Sequence, residues 1–245
     1  MIKHLLATVL VILFSGCETL EECVKHTGNT ATRDFTVDPF YGITVHRGIS
    51  LVITQAAEFS VKVVTGENLI DEIKVIVKDG MLVLSDDKSC NWVRDYGQTT
   101  VYVTAPTLNQ INSKTQLDIV SGNVLTYPIL TLIAVDLVDG AGTGDFHLQV
   151  NSEKLEIQNN NVSGYFISGE TDHLIASFYE GNGIIKAENL IATKIDVFHR
   201  GSNNMYLHPV ESISGNLYST GNVFCSPQPP IVNVIRHYHG QLIFQ

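Results

Sequence analysis

The sequence has little that would build a helix, a membrane span or a basic surface. No segment shows an amphipathic pattern longer than about two helical turns, the best being a turn around Glu67 to Glu72. Lys and Arg number 15 against 25 Asp and Glu, a net charge of −10, so there is no basic face and a nucleic-acid partner is not expected. There is no Gly-x-Ser-x-Gly elbow and no phosphate-cradling glycine loop followed by a helix, which leaves no motif for acyl-transfer or nucleotide chemistry. The four cysteines, Cys17, Cys23, Cys90 and Cys225, match no zinc or redox spacing.

What is present begins with Lys3, an apolar run from Leu5 to Phe14, and the small residues Ser15 and Gly16 before Cys17. The run falls well short of the roughly 20 residues a bilayer requires, so residues 1–16 read as a secretory signal. Leu13-Phe14-Ser15-Gly16-Cys17 resembles the lipobox of bacterial lipoproteins, which implies cleavage before Cys17 and lipidation of that residue. Several acyl chains, at roughly 0.8 kcal/mol per buried methylene, would anchor the protein stably. Residues 17–34 are polar, carry Glu18, Glu21 and Glu22, and read as a tether. Acidic residues behind a lipidated cysteine are similar to signals for export to the outer face of the outer membrane. The expected location is therefore lipid-anchored at the outer membrane, facing the cell surface, with the periplasmic face as the rival. Lipidation leaves Cys23, Cys90 and Cys225, of which one pair can be bridged in an oxidising compartment; the pairing stays open.

Residues 35–245 read as a single all-β domain, with N-terminal strands or a cap over 35–105 and repeat coils over 106–245. Short β-type segments such as Ile49-Ser50-Leu51-Val52-Ile53 and Val101-Tyr102-Val103 alternate apolar and polar positions, and Asp79-Gly80 is a hairpin turn signal. Trp92, in the loop from Ser89 to Tyr96, is expected to cover the first coil.

Beyond Pro106 an apolar-polar-apolar triplet recurs, starting at Leu117, Val135, Leu155, Leu174, Ile195, Ile213 and Val232, about 19 residues apart. From the second triplet on, a glycine or asparagine turn and a second apolar segment follow, as at Gly144 before Phe146 and Gly164 before Phe166. A unit this short cannot bury two strands alone, so neighbours stack. Stacked coils predict a parallel β-helix, with an antiparallel sandwich as the alternative.

The ordered combination of Phe40-Tyr41-Gly42-Ile43-Thr44-Val45, Asp79-Gly80-Met81-Leu82-Val83-Leu84, Val101-Tyr102-Val103-Thr104-Ala105-Pro106 and Gly142-Thr143-Gly144-Asp145-Phe146 resembles the auto-transporter adhesin, head GIN domain family of exported bacterial proteins. The resemblance covers Phe35 to Phe244. It implies a right-handed parallel β-helix at the cell surface or in the periplasm, and it carries over no catalytic residue.

Three constellations are candidates for function. If all triplets stack in register, the outward carboxylates of Asp118, Asp136 and Glu156, with Asp196 beyond, form a column able to recruit calcium. Five residues after successive triplet starts, Tyr179, Arg200, Tyr218 and His237 form a ridge of residue types that hold sugar rings or protein partners. His237 and His239 share a strand face, a weak metal pair. The expected function is a non-catalytic envelope lipoprotein that binds a glycan or a surface protein and needs no cofactor. A calcium-dependent polysaccharide lyase or hydrolase, and a structural envelope protein that self-associates as a homo-oligomer, are the alternatives.

Overall fold

Alternation of branched apolar and polar side chains gives each segment one face that must leave water, and the repeat supplies a neighbour for it. In the computed structural model this yields seventeen β-strands and no helix among the described residues, which are 26–86, 97–135 and 142–245. Cys17, Cys23, Cys90, Trp92 and Asp136 lie outside them. The fold is the parallel β-solenoid that the repeat predicts.

Two sheets run the length of the molecule. The first contains β5 (Ile73–Lys78), β6 (Met81–Asp86), β2 (Gly42–His46), β8 (Gln110–Lys114) and β10 (Ile129–Ala134), in that spatial order. It continues through the C-terminal parts of β11 (Phe146–Asn159), β12 (Gly164–Phe178), β13 (Ile184–His199) and β14 (Met205–Leu217), and ends at β16 (Ile231–Arg236). The second contains β1 (Thr30–Phe35), β4 (Ser60–Gly66), β7 (Thr99–Ala105), β3 (Ile49–Gln55) and β9 (Ile119–Ser121). It then takes the N-terminal parts of β11 to β14, followed by β15 (Val223–Cys225) and β17 (Leu242–Phe244). Strands β11 to β14 are long because each bends from one sheet into the other.

The N-terminal part is both coil and cap. Strands β2, β3, β6 and β7 pair in parallel and continue the solenoid, while β1, β4 and β5 pair antiparallel and close its end. Asp79 (φ 52°) and Gly80 (φ 76°) form the two-residue turn between β5 and β6, the conformation the Asp-Gly pair favours. The stretch from Glu67 to Glu72 forms turns, not a helix.

The coils are not stacked in sequence order. The coil of β2 and β3 sits between that of β6 and β7 and that of β8 and β9, so Leu51 neighbours both Val101 and Ile119.

Leu155, Leu174, Ile195 and Ile213 share one buried, inward file, as their triplets predict, and Val232 continues its register on the last rung, where it is 41% exposed. On the second sheet Phe146, Tyr165, Ile185, Met205, Val223 and Leu242 do the same at steps of 19, 20, 20, 18 and 19 residues. Each buried side chain of this size contributes roughly 1.5–3 kcal/mol, and the core is continuous along the solenoid.

The first two triplets are misplaced by the sequence reading. The rung before Leu155 is Leu130-Thr131-Leu132, and Ile119 belongs to the second sheet. The physical cause is one oversized coil: Ile119 pairs with Phe146, 27 residues on, so a constant step loses register there. Asp118 and Glu156 therefore lie on different faces, and no carboxylate column joins them. Glu156 stands between Thr131 on one side and Ile175 on the other. Cys225 is a buried free thiol on an inward file, with burial pushing its pKa up to about 12, so it forms no bridge in this fold.

Candidate functional site

Three features of the outer surface carry polar or aromatic side chains in an ordered way. The first is the ridge. Phe178, His199, Leu217 and Arg236 are register neighbours at the strand ends, so the next residues, Tyr179, Arg200, Tyr218 and His237, follow in one file. Their backbone N–H groups extend the ladder by one step, each donating to the preceding coil: Tyr179 to Asn159, Arg200 to Phe178, Tyr218 to His199 and His237 to Leu217, at 2.7–2.8 Å.

Phe198, which the sequence reading missed, completes the aromatic row. It points outward from β13, with its ring centroid 5.8 Å from Tyr179 and 5.2 Å from Tyr218. Tyr218 and His237 are stacked at 4.3 Å with planes 6° apart, and His237 Nε2 lies 2.8 Å from Asn216 Oδ1. Tyr179 and Tyr218 are each 40% exposed. Tyr218 and His237 cover one face of each other, while Tyr179 and Phe198, and Phe198 and Tyr218, meet at a tilt of 49° and 46°, and the row carries phenol hydroxyls, an imidazole and the Arg200 guanidinium. Arg200 is in no ion pair among the described residues.

The second feature is an outward file on the other sheet: Val120, His147, Phe166, Lys186, Tyr206, Phe224 and Ile243. His147 stacks on Phe166 at 4.7 Å, Lys186 lies over the Phe166 ring at 5.8 Å, and Tyr206 stacks on Phe224 at 5.1 Å. Alternate positions on the second strand of each repeat carried this signal, but it needs rung-level register to be seen.

Beside it runs a file of Asp and Asn side chains that tie successive coils together. Asp118 Oδ1 accepts from the Asp145 N–H (3.2 Å) and Asp145 Oδ1 from the Gly164 N–H (2.7 Å). Asn204 Oδ1 accepts from the Asn222 N–H (3.0 Å) and Asn222 Oδ1 from the Gln241 N–H (2.9 Å). Asp145 thus has counterparts in other coils, which the degenerate turn sequences concealed.

The third feature is the outer face of the first sheet. Asp196 accepts from the Ser214 hydroxyl and meets His173 Nε2 at 2.7 Å. Glu156 is taken up by Lys154 (3.4 Å) and Gln158 (2.7 Å). These carboxylates are satisfied by neighbours and stand apart from Asp118. His237 and His239 do not converge: His237 is committed to Tyr218 and Asn216, and His239 packs against Tyr238. A depression of about 300 Å³ between Thr126, Pro128, Asn151, Ser152, Glu153 and Asp172 is open and polar.

The family model described as "Putative auto-transporter adhesin, head GIN domain" matches residues 39–229, most of the chain. The chain belongs to that family. The crystal structure of a "putative adhesin" from Bacteroides fragilis is similar over 90% of this chain and 100% of its own, with a TM-score of 0.81 and 25% identity. A "putative lipid binding protein" from Parabacteroides distasonis covers 89% of this chain and 99% of its own, at TM-score 0.65 and 15% identity. A "putative adhesin" from Parabacteroides merdae, at 0.59 and 16%, covers 91% and 100%. These last two share the fold. No curated protein matches the chain.

Proposed function

We propose that this head GIN domain protein is a non-catalytic adhesion module of the cell envelope, held by a lipid on Cys17, whose ridge of Tyr179, Phe198, Arg200, Tyr218 and His237 binds an external glycan or surface protein. The ridge itself carries the reading: half-exposed aromatic rings and an unpaired guanidinium stand in file on a rigid sheet end, where ordering them for a ligand costs little entropy. The family description and the Bacteroides fragilis relative support an adhesive, envelope role. The phenol hydroxyls, the imidazole and Arg200 offer hydrogen bonds and a positive charge, which favours hydroxyl-rich or anionic ligands.

The test is an array of bacterial, host-mucin and plant glycans with matrix proteins, screened with and without calcium. A saturable hit should weaken by roughly tenfold or more in Tyr179→Ala and Tyr218→Ala, as truncation of a central aromatic contact does. A blank array with folded protein, or a hit indifferent to both changes, overturns the ridge.

A further inference from the structure

Asp118, Asp145 and His147 meet on the outer face of the second sheet, away from the ridge. Ile119 and Phe146 are register neighbours, so the residues just before them, Asp118 and Asp145, stand level on adjacent coils. His147 lies two positions after Asp145 and so points to the same side. A ligand atom from each of the three lies within 4.8 Å of the other two, with His147 Nε2 at 3.9 Å from Asp118 Oδ2. We propose that these residues form a three-ligand site for a divalent first-row transition cation such as zinc.

Three observations beyond proximity carry this. First, the structural task of the two aspartates does not need their charge: in later coils Asn204 and Asn222 make the same side-chain bond to the next backbone N–H. Aspartate stands in place of asparagine on His147's own rung and on the rung before it. Second, neither carboxylate has a Lys or Arg partner among the described residues, so two negative charges on neighbouring rungs stand uncompensated. Third, the His147 ring is held by its stack on Phe166 (4.7 Å, planes 8° apart), which fixes the imidazole plane beside the carboxylates.

The donor set selects the class of ion. Two carboxylates and one imidazole suit zinc or its neighbours, whereas calcium takes six to eight oxygens. A tetrahedral zinc with bonds of about 2.0–2.1 Å needs ligand atoms about 3.3 Å apart. The exposed Asp118 closes that gap by side-chain rotation while Asp145 stays tied to Gly164. One or more coordination positions remain for water or for a donor group from another molecule.

The experiment is isothermal titration of the protein with zinc chloride, then of Asp118→Asn, Asp145→Asn and His147→Gln. The asparagine variants keep the backbone bond, as Asn204 and Asn222 do, so unchanged melting temperatures separate lost ligation from lost folding. The expected result is one zinc per chain, weakened roughly tenfold or more by each change, calcium binding much more weakly, and no effect of His173→Gln at the other His–Asp pair. Absence of saturable zinc binding, binding that survives His147→Gln, or equal affinity for calcium overturns the site. None of these results depends on whether the ridge binds a ligand.

Discussion

His199 shows how one residue departs from a repeat. Its neighbours on the inward file are Phe178 and Leu217, and it is itself buried, with Nε2–H donating to the Asn203 carbonyl at 2.9 Å and Nδ1 without a partner. Burial holds its pKa below the ordinary histidine value, outweighing the Asn203 bond, which acts the other way. A folded-state pKa below the unfolded one means the unfolded chain takes up a proton that the fold refuses. The stabilisation is present above about pH 6.5 and is lost as pH falls from there toward the folded value. The melting temperature is therefore expected to drop between pH 7.5 and 5.5, and His199→Leu, which matches the Leu217 rung, should flatten that slope whatever it does to absolute stability. Equal slopes in the two proteins would remove His199 as the cause. In the sequence His199 is one of nine histidines with no sign of burial; only its place after Val197 on a known inward register reveals it.

At the scale of elements, the rung from Leu174 through Ile195 to Ile213 tests the register most directly. Ile195 is 1% exposed between two aliphatic neighbours. Burying a carboxylate there without a partner costs several kcal/mol, comparable with the roughly 5–15 kcal/mol that a whole domain has. Ile195→Asp is expected to abolish folding, while Ile195→Val should cost only about 0.5–1.5 kcal/mol by chemical denaturation. A soluble, cooperatively melting aspartate variant would contradict the inward placement. The last five triplets were legible because their coils are nearly equal in length. The first two were not, since the 27-residue step from Ile119 to Phe146 shifts register without any local mark. The ridge was legible for the same reason as the triplets, apart from Phe198, whose ring reaches across a rung. The Asp118, Asp145 and His147 group was illegible because its members come from coils that the oversized step separates.

For the whole molecule, the eleven strands of the second sheet set a length of roughly 50 Å at the usual strand spacing. The described chain begins at the capped end, where Asn29 binds Glu67 beside β1 and β4, while the ridge occupies the last coils. A lipid on Cys17 would therefore hold the capped end near the membrane and carry Tyr218 and His237 outward. Cells fed a labelled fatty acid are expected to mark the protein, and Cys17→Ala should lose the label and move the protein out of the membrane fraction. An unlabelled wild-type protein would remove the anchor from this picture.

The displaced coil of β2 and β3 has a consequence for how the protein is made. Its strands find their permanent neighbours only after the chain has reached Ala105 on one side and Ser121 on the other. Synthesised N-terminus first, the chain must leave the strands from Ile43 to Ile53 open on one side until some sixty further residues have followed, as Leu51 and Ile119 are 68 positions apart. Growth coil by coil from the start is thus forbidden in the first half and allowed only afterward. The later coils, each pairing with the one just made, are the natural seed on the C-terminal side, and the early strands are the segment most in need of a chaperone's hold while they wait.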